Sequence, residues 1–242
     1  MNVEKDIYNR FKSMFTDEFT EDDFSDLLWY AAEDEMDDLI DYLKSKLPQI
    51  SDIKYGASKL VIFLENEPDW VIKFPLKGNA ILWLGNGRMN VDIEDEYYRA
   101  WGNECDFEDY DYCAVEELIY ETMKRKFRKF CARTKSVGQI GDVNMYISEQ
   151  AKGEIYLCGA SSQDSRRKAA EYVSSNKDIH IQSWILAIFY DMYGQDMSNR
   201  FFHELYSLGY GKDLHSGNFA INKQGKIICI DYSDFNDYSG VI

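Results

Sequence analysis

The sequence predicts a mixed α+β protein, and three observations support this fold class. Apolar residues recur at helical spacing in the first 48 residues and again beyond residue 163, while the stretch between them contains short runs rich in β-branched and aromatic residues. The 242 residues are 45% hydrophobic and 15% aromatic, which is enough apolar material for one globular chain of one or two lobes. Such a composition excludes a disordered or fibrous protein.

The negative charge is unevenly distributed. The formal net charge is -16, and residues 1–50 carry 14 acidic against 5 basic residues, while residues 91–112 carry 9 acidic residues against one basic residue. The rest of the chain is close to neutral. The acidity argues against direct binding to nucleic acid and to anionic membranes. It favours a basic protein as the partner of the two acidic segments.

The cysteines and the N-terminus indicate a cytoplasmic protein. The five cysteines are odd in number and contain no Cys-x-x-Cys pair, which favours neither a disulfide framework nor a zinc ribbon. We therefore expect a reducing compartment. The chain begins without a basic and apolar leader and has no apolar run of about 18–20 residues, so we expect no membrane partner.

The elements follow in the order of helices, strands and helices. Residues 1–50 are predicted to form an acidic helical extension of two or three helices, the last of which ends at Pro48. Residues 54–64 and 70–74 predict an antiparallel hairpin. These two runs begin a β-rich segment, residues 51–150.

The second half of that segment contains an insertion and one helix. Residues 76–111 are predicted to be an acidic insertion, and residues 112–130 a helix whose acidic start and basic end suit the helix dipole. Two short strands are predicted at 136–140 and 144–149 around a Gly-Asp turn.

Residues 151–242 are predicted to be helix-rich with a late hairpin. The helices are placed at 163–175, 179–193 and 197–208. A loop leads to the hairpin at 219–222 and 226–231, with a Lys-Gln-Gly turn.

The residues that indicate chemistry lie in this last segment. Asp213 is followed by Leu-His-Ser-Gly and Asn218, and Asp231 comes thirteen residues later at the end of an apolar strand. Phosphoryl transfer from a nucleotide needs a carboxylate at the acceptor hydroxyl and oxygen ligands that hold Mg²⁺ on the phosphates. Asp213 is the candidate for the first role, and Asn218 with Asp231 for the second. His215 is predicted to be a structural loop residue.

These residues resemble the protein-kinase-like superfamily, which includes eukaryotic-type protein kinases and the aminoglycoside phosphotransferases. The stretch Asp-Leu-His-Ser-Gly-Asn is similar to the catalytic loop of the family, and Ile-Asp-Tyr-Ser stands where its Asp-Phe-Gly motif is expected. The resemblance covers about residues 52–235. It implies ATP and Mg²⁺ bound between two lobes.

The resemblance also implies upstream residues. Val71-Ile72-Lys73 is similar to the strand that carries the phosphate-binding lysine, and Glu116, or alternatively Glu117, would be its helix glutamate. The remaining implied nucleotide-binding residues are those of a glycine loop and an interlobe hinge: Gly56, Ala57, Ser58, Glu149, Gln150 and Ala151.

The chain departs from the family in three respects. The glycine loop has one glycine instead of three, 42 residues separate Lys73 from Glu116, and only eleven residues follow Asp231. A peptide-holding helical subdomain cannot fit in eleven residues. The resemblance therefore implies a two-lobed protein-kinase-like fold with a truncated helical C-lobe and the acidic helical N-terminal extension.

The predicted function is an atypical kinase, which transfers the γ-phosphoryl group of ATP to a hydroxyl of a protein or a small molecule. The competing hypothesis is a catalytically weak pseudokinase or an acidic interaction or inhibitor protein that uses the fold as a scaffold. A phage-like mimic of nucleic acid is one form of it.

Overall fold

A computed structural model of the chain describes most of its residues. They are residues 3–30, 36–56, 59–76, 98–100, 103–105, 111–151, 153, 155, 161–208, 210 and 214–232. The fold is mixed α+β, as predicted. The chain divides into two compact units, Met1–Ala114 with Thr134–Ser148, and Val115–Arg133 with Glu149–Ile242. None of the described helices is long and apolar enough to cross a membrane.

The first unit begins with three helices, which the sequence predicted. They are α1 (Val3–Lys12), α2 (Glu21–Tyr30) and α3 (Met36–Lys46). Acidic residues occupy the first turn of each helix, where they face the positive end of the helix dipole. At α2, Thr20 and Asp23 form a reciprocal cap: the Thr20 amide donates to Asp23 Oδ2 at 2.8 Å, and the Asp23 amide donates to Thr20 Oγ1 at 3.1 Å. Part of the N-terminal acidity therefore stabilises helix starts.

A five-stranded sheet completes the first unit, in the order β1-β2-β3-β7-β6. The strands of the unit are β1 (Ile50–Tyr55), β2 (Lys59–Leu64), β3 (Trp70–Pro75), the short pair β4 (Tyr98–Ala100) and β5 (Asn103–Cys105), β6 (Thr134–Ile140) and β7 (Val143–Glu149). The pairing of β2 with β3 confirms the predicted hairpin, but the run 54–64 predicted as its first arm is divided, since β1 ends at Tyr55 and β2 begins at Lys59. The two predicted later strands are confirmed, with β6 beginning two residues earlier.

One face of this sheet packs on the three helices. Leu60 and Ile62 of β2 and Ile72 and Phe74 of β3 lie in one apolar cluster with side chains of α1, α2 and α3. Phe74 contacts the ring of Phe24 at a centroid distance of 4.9 Å. Residues 1–50, which the sequence analysis treated as an extension, therefore share a core with the sheet.

Two glycines allow the helices to approach β6 and β7 closely. Gly138 has φ +152°, and a Cβ there would lie 2.7 Å from the ring of Tyr8. Gly141, with φ +56°, turns the chain between the strands, and a Cβ there would lie 2.4 Å from Ser25 Oγ. Both positions require glycine for conformation and for space.

The second unit is mainly helical. Its elements are α4 (Tyr112–Thr122, whose first three residues belong to the first unit), α5 (Gln163–Ser175), α6 (Ser183–Tyr193), α7 (Gln195–Ser207), β8 (Phe219–Ile221) and β9 (Ile227–Cys229). Phe130, Phe189, Phe201 and Phe202 form the aromatic centre of its core. The three predicted helices and the hairpin are present, and the second helix begins at Ser183, not at residue 179.

The prediction of one helix over 112–130 is wrong. Helix α4 ends at Thr122, and a separate 3₁₀ turn spans Arg128–Phe130. The backbone amide of Lys124 donates to the carboxylate of Glu204 on α7 at 3.1 Å, and Lys124 Nζ donates to the same carboxylate at 2.5 Å. The carboxylate therefore takes the amide hydrogen that a continuing helix would use.

Candidate functional site

A short loop in the second unit precedes the β8–β9 hairpin. The Leu214 amide donates to the carbonyl of His180 at 3.3 Å, which fixes the start of the loop. A 3₁₀ turn follows over Ser216–Asn218. The His215 ring caps this turn, because its Nδ1 accepts from the Gly217 amide at 3.0 Å. His215 therefore has the structural role predicted for it.

The hairpin brings Asn218 and Asp231 together. The Asn218 carbonyl accepts from the Ile230 amide at 2.8 Å and from the Asp231 amide at 3.4 Å. In the antiparallel hairpin, Phe219 of β8 pairs with Cys229 of β9. Asn218 lies directly before β8, and Asp231 lies just after β9. The two predicted metal ligands are thus neighbours at one end of a two-stranded sheet.

A buried tyrosine that sequence reasoning missed joins the same two residues. Tyr210 is fully buried, and its hydroxyl donates to the Asp231 carbonyl at 2.7 Å. The Nδ2 of Asn218, which is 5% exposed, donates to the same hydroxyl at 2.7 Å. Because the tyrosine has one proton and uses it on the carbonyl, Asn218 must present its NH₂ group here. The Oδ1 of Asn218 therefore points away from Tyr210.

Glu116 lies beside the residue that follows Asp231. Its side chain is fully buried on α4, and its Oε1 accepts from the Tyr232 amide at 3.4 Å. The Tyr232 hydroxyl in turn donates to the carbonyl of Ala132 at 2.7 Å. Glu117, the alternative on the same helix, is half-buried. Glu116 is thus the more deeply buried of the two glutamates.

The charge of this carboxylate acts on two buried cysteines, Cys131 and Cys229. Burial, and after it the negative charge of Glu116, raises the pKa of the Cys131 thiol. Burial, Cys131, Asp231 and Glu116 raise the pKa of the Cys229 thiol. Both thiols therefore stay protonated and unreactive at neutral pH. Both side chains belong to the apolar core of the second unit.

Asp111 positions the start of α4 within the first unit. Its Oδ1 accepts from the amides of Cys113 and Ala114, both at 2.9 Å, which is the geometry of a helix N-cap. Its Oδ2 accepts from Asn144 Nδ2 at 3.1 Å and from the Tyr146 hydroxyl at 2.6 Å. One carboxylate thereby attaches the first turn of the helix to β7.

The predicted phosphate-binding lysine lies in the first unit. Lys73 on β3 is opposite Val61 on β2 and is 5% exposed. Its neighbours Ile72 and Phe74 point into the apolar core, so Lys73 lies on the other face of the sheet. Gly56 donates its amide to the Lys59 carbonyl at 3.0 Å and closes the β1–β2 turn. The predicted residues Ala57 and Ser58 in this turn, and Asp213 in the second unit, lie outside the described residues.

The predicted hinge residues lie at the end of β7, whose last residue is Glu149. Glu149 is exposed, and its amide donates to the Arg133 carbonyl at 3.3 Å. Gln150 and Ala151 are half-buried, and Gln150 Oε1 is a buried acceptor without a hydrogen-bond partner among the described residues. A few residues later, Gly153 and Ile221 exchange backbone hydrogen bonds at 3.2 and 2.8 Å.

Asn218 and Asp231 remain the candidate metal ligands at the hairpin. The described residues contain no group of three His, Cys, Asp or Glu side chains that would hold a metal by itself. Mg²⁺ typically takes one or two protein oxygens and completes its octahedron with water and phosphate oxygens. Asn218 and Asp231, whose backbones are in contact, each carry a side-chain oxygen of this type.

Comparisons with models of protein families, with curated proteins and with solved structures found no match to this chain.

Proposed function

We propose that this chain is an ATP-dependent phosphotransferase that moves the γ-phosphoryl group to a hydroxyl acceptor. The observation that carries the proposal is the juxtaposition of Asn218 and Asp231, which the Tyr210 hydroxyl bonds together. Phosphoryl transfer needs oxygen ligands for Mg²⁺ near the phosphates, and Asn218 and Asp231 are residues of the types that supply them. Bound Mg²⁺ would neutralise phosphate charge there.

Asp213 is assigned to the acceptor hydroxyl. The hydroxyl oxygen forms a bond to the γ-phosphorus, and the bond from that phosphorus to the bridging oxygen of ADP breaks. The proton of the hydroxyl passes to the Asp213 carboxylate, and ADP leaves with the bonding electrons. A carboxylate is the usual group for this role because it orients the hydroxyl and removes its proton late in the reaction.

Lys73 and Glu116 are assigned to positioning. Lys73, on β3 of the first unit, is assigned to the α and β phosphates on the resemblance of Val71-Ile72-Lys73 to the strand of the family. Glu116 would orient the region after Asp231 through its contact with the Tyr232 amide. Fixed charges in a dry environment stabilise the transferring group without reorganising during the reaction.

The test is phosphate transfer by the purified full chain. The protein is incubated with Mg²⁺ and ATP labelled at the γ-phosphate, with mixtures of hydroxyl compounds and of proteins as acceptors, and label transfer and ATP consumption are measured. Asp213→Asn and Asp231→Asn should each lower the rate by more than about tenfold. Asp196→Asn is the matched control, because Asp196 lies on α7 in the same unit, and its side chain is 83% exposed.

Three outcomes are distinguishable. Transfer that requires Asp213 and Asp231 supports the proposal. Binding of ATP without any transfer to the acceptors, to water or to the protein itself would overturn it and would favour the scaffold hypothesis. Absence of both binding and transfer would overturn the assignment of a nucleotide site as well.

A further inference from the structure

A short basic segment of the second unit follows helix α4. Residues 123–133 contain six lysines and arginines and no acidic residue. Two of these cations have acidic partners, since Lys124 pairs with Glu204 at 2.5 Å and Arg128 pairs with Glu121 at 3.0 Å. Part of the positive charge of the segment is therefore neutralised within the unit.

Backbone turns direct the side chains of this segment to opposite sides. The Phe127 amide donates to the Lys124 carbonyl at 2.8 Å, and the Phe130 amide donates to the Phe127 carbonyl at 2.9 Å. Phe127 and Phe130, three residues apart, are buried in the core of the unit. Lys126 and Lys129, also three residues apart, are exposed. Because residues three apart align in such tight turns, burial of the two phenylalanines holds both lysines at the surface.

A half-buried tyrosine brings a third lysine to the same surface. The Tyr193 hydroxyl donates to the Ile227 carbonyl at 2.8 Å, and its ring lies edge-on to Phe130 at a centroid distance of 4.5 Å. Lys129 Nζ lies 5.9 Å from the centroid of the Tyr193 ring, and Lys226 Nζ lies 6.0 Å from it. Attraction to the ring positions both ammonium groups, which are no more than about 12 Å apart, twice the longer of these distances.

The lysines on either side of the Tyr193 ring are exposed and unpaired. In the part of the chain that the structure describes, Lys129 and Lys226 have no acidic partner. The charge of Lys126 helps to lower the pKa of Glu204, after the stronger effects of Lys124. The chain has 43 acidic and 27 basic residues, so a shortage of carboxylates does not explain the unpaired lysines. They form a positive area on a chain whose net charge is -16.

The chemistry and size of this area fit a short acidic segment of polypeptide. Ammonium groups bind carboxylates through charge-assisted hydrogen bonds, and the exposed part of the Tyr193 ring offers an apolar contact beside them. Three or four residues of extended polypeptide span about 12 Å. Exposed charges more than about 8 Å apart are largely screened at physiological ionic strength, so a short segment senses mainly the lysines. A long nucleic acid or an anionic membrane would meet the net negative charge of the whole chain.

We propose that Lys126, Lys129, Tyr193 and Lys226 form a binding surface for an acidic polypeptide segment of a partner protein. Carboxylates of the partner pair with Lys129 and Lys226, and Lys126 extends the surface along the basic segment. None of the four residues is assigned to the nucleotide, the metal or the acceptor. The surface can therefore be tested independently of phosphate transfer.

The test uses a fluorescent peptide of about eight glutamates, which is long enough to cross the surface, and a glutamine peptide of the same length. Binding to the full chain is measured by fluorescence anisotropy. The double variant Lys129→Gln/Lys226→Gln should bind the glutamate peptide at least about tenfold more weakly than the wild type. Lys129→Arg/Lys226→Arg keeps both charges and should retain most of the affinity. The glutamine peptide should not bind.

Lys44→Gln/Lys168→Gln is the matched control. Lys44 on α3 pairs with Asp52, Lys168 on α5 pairs with Asp164, and each lysine side chain is 38% exposed. This double variant makes the same change in net charge and should keep the affinity within about twofold of the wild type. Circular dichroism of every variant establishes that each one is folded.

A second measurement locates the peptide. Carbodiimide coupling joins carboxylates to nearby amines, so mass spectrometry of the coupled complex should find the peptide on Lys129 and Lys226. Loss of binding in the Lys129→Gln/Lys226→Gln variant alone, with coupling at these lysines, supports the proposal. Absence of glutamate-peptide binding by the wild type, or an equal loss in the control variant, overturns it. Tighter binding of single-stranded DNA or of phosphatidylserine vesicles through the same lysines overturns the choice of a polypeptide partner.

Discussion

Replacing Tyr210 by phenylalanine tests the hydrogen-bond arrangement at the hairpin. The change keeps the buried ring and removes only the hydroxyl, which donates to the Asp231 carbonyl and accepts from Asn218 Nδ2, both at 2.7 Å. A buried hydrogen bond contributes about 1–1.5 kcal/mol net. Loss of the two bonds should therefore lower the free energy of unfolding by about 2–3 kcal/mol.

Two other tyrosines provide controls of the same chemistry. Tyr232 is also fully buried, and its hydroxyl donates to the Ala132 carbonyl at 2.7 Å. Tyr193 is partly buried and donates to the Ile227 carbonyl at 2.8 Å. Each change to phenylalanine removes one such bond and should cost about 1 kcal/mol.

Urea denaturation followed by circular dichroism measures all three variants. The slope of the transition should be the same in each, because none of the changes alters the surface exposed on unfolding. The midpoint should fall furthest for Tyr210→Phe. Equal midpoints for Tyr210→Phe and Tyr193→Phe would refute the view that Tyr210 joins Asn218 to Asp231.

Two further predictions concern pH and backbone conformation. Burial raises the pKa of Glu204, but the hydrogen bonds from Lys124 lower it, and the net shift is downward. The contribution of the Glu204 carboxylate to the free energy of unfolding is therefore present above the unfolded carboxyl pKa of about 4.3. It is lost as pH falls through the lower pKa of the folded state. Glu204→Gln should cost about 1 kcal/mol in urea denaturation at pH 7 and progressively less below about pH 4, and a cost independent of pH would contradict this. Gly141→Ala should lower the free energy of unfolding by about 3 kcal/mol, because φ is +56° and the new Cβ would meet Ser25 Oγ at 2.4 Å. Gly225→Ala, with φ +71° and open space, should cost only about 1 kcal/mol, and equal losses of thermal stability in the two variants would show that space is unimportant at Gly141.

Local pattern was sufficient to predict the hairpin in the second unit. Apolar runs on either side of an Asn-Lys-Gln-Gly turn predict two short antiparallel strands. In the structure, the Asn222 side chain accepts from the amides of Gln224 and Lys226, and Gly225 has φ +71°. Hairpin geometry then places the residues before and after the strands together, which is why Asn218 and Asp231 are neighbours.

Contacts between distant segments were not predictable in the same way. Nothing in the pattern around Tyr210 distinguishes it from other tyrosines, because its role depends on the closure of a hairpin up to 21 residues later. The end of α4 depends on Glu204, which is 80 residues from Lys124. Helix propensity and charge order favour a longer helix there, and a tertiary hydrogen bond overrides them.

The side of strand β2 on which Lys59 lies was predictable from the sequence, whereas the burial of Lys59 was not. Alternation in Lys59-Leu60-Val61-Ile62 places Lys59 and Val61 on one side of the strand. A lysine on a strand is usually exposed to solvent, so the pattern alone favours an exposed edge residue. The register with β3 and the burial of Lys59, which is 4% exposed, are tertiary features.

The most direct test of the central claim is the Mg²⁺ dependence of ATP binding. Calorimetry of the wild type should give an ATP affinity that increases more than about tenfold when Mg²⁺ is added, because Asn218 and Asp231 are proposed to hold the ion on the phosphates. Asp231→Asn should lose this increase, and Asp196→Asn should keep it. An ATP affinity that is the same with and without Mg²⁺, or the same Mg²⁺ effect in Asp231→Asn as in the wild type, would contradict the account.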